Sequence, residues 1–164
     1  MHFESLHQTH AEALLLFEKQ NRAFFERVIT ARDDAFYSMD GVRQHINLLT
    51  SANDADAYLL IDGSEIIARA NLKQIQANHD AEIGYRVSQS VAGKGVGSRC
   101  VDFVIRQARK RQLTQLYAYV MANNPASEKV LVNNGFEITL CLPDEFVHQG
   151  RTLNGFKYQR QLAL

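Results

Sequence analysis

One stretch constrains this chain more than any other: SVAGKGVGS at positions 90–98, running into an amphipathic segment that ends near Lys110. Gly93, Gly95 and Gly97 alternate with Lys94 and Val96. Alternating glycines cost backbone entropy and add nothing to a core. Placed just ahead of a helix, they leave main-chain N–H groups bare. There the orphan donors and the helix dipole favour an anion, above all a phosphate. The segment behind them puts Val96, Cys100, Phe103, Val104 and Ala108 on one face, and Arg99, Asp102, Arg106, Arg109 and Lys110 on the other.

Two phosphate loops are excluded by spacing. A Walker A loop reads GxxxxGK followed by Ser or Thr; here Gly95 follows Lys94, and position 88 is Ser. The dinucleotide fingerprint reads GxGxxG in a first βαβ unit, whereas these glycines read GxGxG. A loop that merely caps the helix and a loop for another pyrophosphate both remain.

Along the chain, Phe3–Leu6 reads as a short strand. Thr9 and Glu12 have capping-box spacing ahead of one or two helices over about 10–29. The segment TARDDAFYSMDG reads as a long loop, and Asp40 is expected to cap a helix reaching Leu49. Strand patterns follow at 57–61, 65–75 and 81–87, the first two joined by the turn signal Asp62-Gly63-Ser64. After the glycine loop and its helix comes a strand at 115–121. Asn124-Pro125 opens another helix and Asn134-Gly135 closes it. Strands at 136–142 and 153–162, joined by PDEFVHQGR, end the pattern. The order β, α, α, β, β, β, α, β, α, β, β predicts one α+β domain over 1–164, with a mixed, mostly antiparallel central sheet of six or seven strands flanked by helices.

Composition narrows the function classes. Lys plus Arg equals Asp plus Glu at 18 each, so the formal net charge is zero and direct nucleic-acid binding is not expected. No apolar run is long enough for a transmembrane helix, and MHFESLHQTH carries no signal-peptide pattern; a cytoplasmic protein is expected. Cys100 and Cys141 fit no metal spacing and read as buried thiols. The six histidines form no HxH or HxxxH pair, so no metal is expected.

Taken in order, the strand AEIGYRV, the loop AGKGVGS, the amphipathic helix, the strand LYAYVMANN and the segment NPASEKVLVNNGFE resemble the GNAT superfamily of N-acetyltransferases. The resemblance is close over about 81–140. EKQNRAFFERVITARDDAFYSMDGVRQHI and EIGYRV look most like the branch of ribosomal-protein alanine N-acetyltransferases. The resemblance implies acetyl-CoA as cofactor. It also implies a pyrophosphate cradle from the backbone of Gly93, Lys94, Gly95, Val96, Gly97 and Ser98, and a strand edge at Tyr85, Arg86 and Val87 that pairs with the pantetheine arm. Asn124 is then the residue near the thioester, with Ser127 and Lys129 on the following turns as further contacts.

The sequence departs from the family pattern in three places. Ala92 stands where Gln or Arg usually opens the loop. Leu131 stands seven residues after Asn124, where many members carry an acidic tyrosine. Tyr119 stands five residues before it, where one branch carries a basic glutamate. Glu82 becomes the candidate base, acting through water, unless it pairs with Arg69 or Arg86. Ser127 and Tyr119 are the candidate proton donors to the leaving thiolate. A site without an evident strong base suits an α-amine, whose pKa lies near ~7.7–8.0, better than a lysine near ~10.4. Phe36, Tyr37, Glu145 and His148 are the candidate acceptor pocket. Asp33, Asp34 and Asp144 could add negative charge to it or stand as solvated loop charges.

The expected function is acetyl transfer by direct attack of a primary amine, foremost a protein N-terminal α-amine such as a ribosomal protein's. The alternatives are a small-molecule amine (polyamine, amino acid or aminoglycoside-like) and a non-catalytic acetyl-CoA sensor. A homodimer is compatible with the sequence.

Overall fold

The computed structural model describes residues 1–163. Eleven regular elements follow the expected order: β1 (His2–Ser5), α1 (Ala11–Phe25), α2 (Met39–Thr50), β2 (Asp56–Asp62), β3 (Glu65–Lys73), β4 (Asp80–Val87), α3 (Val96–Lys110), β5 (Gln115–Met121), α4 (Pro125–Asn133), β6 (Glu137–His148) and β7 (Arg151–Gln161). One seven-stranded sheet runs β1-β2-β3-β4-β5-β7-β6. Every pairing is antiparallel except β4 with β5. That pair is parallel because the α3 crossover carries the chain back before β5 begins.

The sheet separates two cores. On one face Val96, Cys100, Val101, Val104, Ile105 and Ala108 of α3 pack with Leu131 of α4 on Ala81, Ile83, Leu116, Ala118 and Val120. On the other, Leu14, Phe17 and Phe25 of α1 and Val42, Ile46 and Leu49 of α2 cover Leu59 and Ile66. Strand alternation therefore splits β4: Ala81 and Ile83 face α3, while Glu82, Gly84 and Arg86 face the α1–α2 side. Phe103, expected in the heart of the α3 stripe, lies at its margin and stacks on Phe3 at 3.8 Å between centroids.

Local chemistry departs from expectation in several places. Thr9 is no cap: a 3₁₀ turn over Gln8–His10 precedes α1, and His7 with His10 forms the reciprocal box. The expected long loop holds a 3₁₀ turn at Asp34–Tyr37, and Ser38 rather than Asp40 caps α2, its Oγ accepting from Gly41 N–H at 3.0 Å. A serine three residues ahead satisfies an orphan N–H directly, which leaves Asp40 in the first turn. PDEFVHQGR is not a connecting loop. β6 and β7 extend through it to a two-residue turn at Gln149 (φ 50) and Gly150 (φ 74), the paired positive φ of a tight hairpin. Cys100 is buried as expected, but Cys141 is exposed because β6 is the sheet edge. No described helix is long and apolar enough to cross a membrane.

Candidate active site

The parallel pair is also where the sheet opens. β4 and β5 pair only through Asp80–Gln115, Ala81–Leu116 and Glu82–Tyr117. β4 continues to Val87 and β5 to Met121, each still paired on its far side, with β3 and β7. Beyond the Glu82–Tyr117 rung the facing edges have no strand partner. Their amides and carbonyls line a wedge, and an extended chain bearing amides can add to such an edge.

The glycine loop closes the mouth of the wedge. After Val87, Ser88 N–H donates to Ile67 at 2.8 Å and a 3₁₀ turn spans Gln89–Val91. Gly93 (φ 74) and Gly95 (φ 80) adopt the left-handed conformation, and Gly95 is the residue ahead of α3. These two glycines are there for backbone shape. Gly97 has a different reason: a Cβ there would meet the Tyr85 ring at 3.2 Å and Val130 at 3.4 Å, so it permits close packing of α3. Among the described residues nothing accepts from the N–H groups of Gly93, Gly95, Val96, Gly97 and Ser98. The expected cradle is corrected at one position. Lys94 N–H is taken by Val91 at 3.3 Å, and its Nζ donates to Ser90 at 3.0 Å.

Across the wedge, Asn124 caps α4, its Oδ1 accepting from Ser127 N–H at 3.2 Å. That cap places the Ser127 hydroxyl 3.0 Å from the Tyr85 hydroxyl, while Lys129 points outward, exposed. Burial holds the Tyr85 phenol up at about 12. Leu131 is 1% exposed, so that position packs the core and offers no acid.

On the α1–α2 face, Glu82 occupies the last shared rung and Tyr119 lies two residues beyond it on β5. Glu82 is paired, but with neither Arg69 nor Arg86: Lys73, its cross-strand partner, donates to it at 3.2 Å. Tyr119 is 44% exposed and its ring centroid is 5.8 Å from that of Tyr117. Asn71 lies across Gly84, where a Cβ would meet its Oδ1 at 2.7 Å; that oxygen is buried without a donor.

Arg69 and Arg86 instead converge on Glu18, a carboxylate of α1 with no exposure. Arg69 Nη1 donates at 2.6 Å and Arg86 Nη1 at 3.1 Å. Burial alone would push the Glu18 carboxyl up; the arginines outweigh it and hold the group below the ordinary carboxylate range. His45 of α2 completes the cluster, its Nε2 lying 2.6 Å from Arg69 Nη2. Burial, then Arg69, Arg32 and Arg86, press the imidazole down to about 2, so it is neutral and accepts from Arg69. The sequence reading missed this cluster. Its one signal was Glu18 in the buried stripe of α1, between Leu14 and Phe25.

The candidate acceptor residues separate. Phe36 and Tyr37 meet edge to face at 5.2 Å, with Arg32 over Phe36 at 4.2 Å and Arg22 over Tyr37 at 4.1 Å. His148 Nε2 donates to the Glu26 carbonyl at 2.7 Å, so it clamps the hairpin to the end of α1. Thr30 reinforces the clamp through the Val147 carbonyl at 3.4 Å. Glu145 lies exposed beside a bulge in β6 and joins none of these residues. Asp34 pairs with Arg22 at 2.6 Å, Asp144 accepts from Thr152 at 3.3 Å, and Asp33 is exposed. The carboxylates expected to line the pocket do not converge.

Residues 1–137 match the acetyltransferase (GNAT) domain family. The probable N-acetyltransferase YjcK of Bacillus subtilis (strain 168) is 30% identical over 139 residues, 80% of this chain and 77% of its own. The ribosomal-protein-serine acetyltransferase of Escherichia coli (strain K12) is 29% identical over 90 residues, 54% of this chain and 50% of its own. The crystal structure of ribosomal-protein-S5-alanine acetyltransferase from Vibrio fischeri superposes with a TM-score of 0.90 at 22% identity, covering 97% of this chain and 91% of that one. With a glycine loop opening onto parted parallel strands, the chain belongs to the GNAT acetyltransferases, enzymes that take their acetyl group from acetyl-CoA.

Proposed function

We propose that the chain acetylates a protein N-terminal α-amine by direct attack on acetyl-CoA. The observation that carries this reading is the parting of β4 and β5 beyond Glu82–Tyr117, with the N–H cradle at its mouth and the α1–α2 face behind it. In this reading the free N–H groups of Gly93, Gly95, Val96, Gly97 and Ser98 hold the pyrophosphate. The unpaired edge of Tyr85, Arg86 and Val87 orients the pantetheine amides. When bound, acetyl-CoA supplies an activated thioester.

The residues of the chain do the rest. A backbone N–H of the β4 edge binds the developing oxyanion. The amine nitrogen forms its bond to the carbonyl carbon, and the carbon–sulfur bond breaks. The Ser127 hydroxyl protonates the departing thiolate and recovers a proton through Tyr85, 3.0 Å away. This arrangement serves where Leu131 cannot. Tyr119 is the second candidate donor, exposed on the acceptor face. Glu82 receives the ammonium proton through water, in competition with Lys73. A base so engaged suits an acceptor that is already partly neutral, as an α-amine with a pKa near ~7.7–8.0 is.

Thermal unfolding with acetyl-CoA, NAD and ATP tests the cofactor step. At a hundred times its dissociation constant, acetyl-CoA should stabilise the fold by about 2.7 kcal/mol, with no comparable effect of the controls. Coenzyme A release is then followed with free N-terminal peptides, N-blocked lysine peptides and polyamines. Faster turnover of the free N-terminal peptides supports the reading; preference for lysine or polyamine overturns it.

A further inference from the structure

We infer that the acceptor side of the wedge contains a subsite for an oxyanion, carboxylate or phosphate, read by Arg32, so that the preferred acceptor is an amine carrying an acidic group. This rests on the acceptor reading above and deepens it.

Arg32, Arg69 and Arg86 gather around a single carboxylate, Glu18. Glu18 spends one oxygen on Arg69 and the other on Arg86. The neighbouring acids, Glu26 and Asp34, are both engaged by Arg22. His45 lends no negative charge and accepts from Arg69. Arg32 is left over. Among the described residues it makes no hydrogen bond and no ion pair, and its Nε is buried without a partner. Arg32 is half-buried and only its Nε is shut away, a cost that an anion on the fork would offset.

Its geometry favours a ligand over a structural bridge. The Arg32 guanidinium sits over the Phe36 ring at 4.2 Å, and Phe36 is itself braced edge to face on His45 at 5.2 Å. The ring holds the guanidinium in place before any ligand arrives, and a positioned fork matches an oxyanion through two parallel N–H donors. The segment that carries it is held in place by the His148–Glu26 and Thr30–Val147 hydrogen bonds. It lies on the α1–α2 side of the sheet, where Arg32 shares Glu18 with Arg69 of β3 and Arg86 of β4. Asp33, Asp34, Asp144 and Glu145 do not converge here, and the enclosed charge on this face is positive.

The test uses the full chain with saturating acetyl-CoA. Coenzyme A release is measured for matched N-terminal peptides carrying Asp or Asn, and phosphoserine or serine, at each of the positions after the first. Amino acids are compared with their amides. The acidic member of one pair should lead by about tenfold or more in kcat/KM, mainly through KM, as one charge-assisted hydrogen bond implies. Whether Asp or phosphoserine leads tells carboxylate from phosphate. Arg32→Gln should erase the preference and Arg32→Lys should keep part of it. Because Arg32 makes no hydrogen bond or ion pair among the described residues, both should retain the wild-type affinity for acetyl-CoA. Equal rates within every wild-type pair, or a preference that survives in Arg32→Gln, overturn the subsite and leave acetyl transfer standing. A second arm reads the subsite without turnover. With coenzyme A saturating the loop, malonate and inorganic phosphate are compared with chloride at equal ionic strength for their effect on Tm. Stabilisation of wild type but not of Arg32→Gln, with no amine turned over, would keep the subsite and overturn the transfer reading.

Discussion

The two faces of the sheet bring different kinds of group to the wedge. On the α3 side the work falls to backbone: left-handed glycines, free N–H groups at a helix start, and an asparagine cap three residues from the serine it positions. On the α1–α2 side it falls to side chains from distant parts of the chain. Glu18 meets Arg69 across 51 positions and Arg86 across 68, and His148 reaches Glu26 across 122. The first is local in sequence and built from backbone, suited to a ligand part common to a whole family. The second is charged and long-range, and in the reading proposed above it is the side that selects the acceptor.

Breaking the charged side should have the largest effect. Glu18→Gln leaves Arg69 and Arg86 buried without their anion, and a broken buried pair costs about 3–5 kcal/mol. Urea denaturation should show it, whereas acetyl-CoA affinity per folded molecule should hardly change. A loss of affinity as large as the loss of stability would mean that the two faces are not separable.

The wedge between them is probed by Ser127→Ala. A kcat lower by about 100-fold, with acetyl-CoA affinity retained, is expected of a lost proton donor. Tyr85→Phe should follow it in direction with a smaller drop. Unchanged turnover in Ser127→Ala would pass the role to Tyr119.

His45 sharpens the comparison through pH. Its ordinary value is 6.5 and its folded value about 2, so the folded state stays neutral where the unfolded chain takes up a proton. The stability it contributes is complete above 6.5 and is lost as pH falls toward the folded value. Glu18, also depressed, adds to the loss only below its ordinary 4.5. Between those two values unfolding free energy should fall by up to about 1.4 kcal/mol per pH unit. His45→Gln should flatten that slope, and an unchanged slope would place the titration elsewhere.

The smallest effect should distinguish the glycines. Gly95→Ala meets no neighbour and pays only for its left-handed φ, about 1 kcal/mol. Gly97→Ala has an ordinary φ but presses on the Tyr85 ring, so its Tm should drop through packing and acetyl-CoA affinity should change with it.

Much of the fold was readable because its signals are local. Alternation and turn residues placed the strands, and Asn124-Pro125 and Asn134-Gly135 bracketed α4 where the structure has it. The misreadings came where two local signals competed. Ser38 outdid Asp40 for one cap, and PDEFVHQGR, rich in turn formers, was drawn into a hairpin by its neighbours. In that hairpin Phe146 lies over Gly155, a contact made only once the strands pair.

By itself the sequence determined the order of elements, the glycine loop and its bare N–H groups. All three depend on residues within a few positions of one another, whose backbone preferences act before any tertiary contact forms. Only the tertiary structure decided where β4 and β5 part, which cation Glu82 pairs with, and that Arg32 makes no ion pair among the described residues. Those facts depend on which distant side chains meet, and charge in a sequence carries no sign of its eventual partner until packing has excluded water and chosen one.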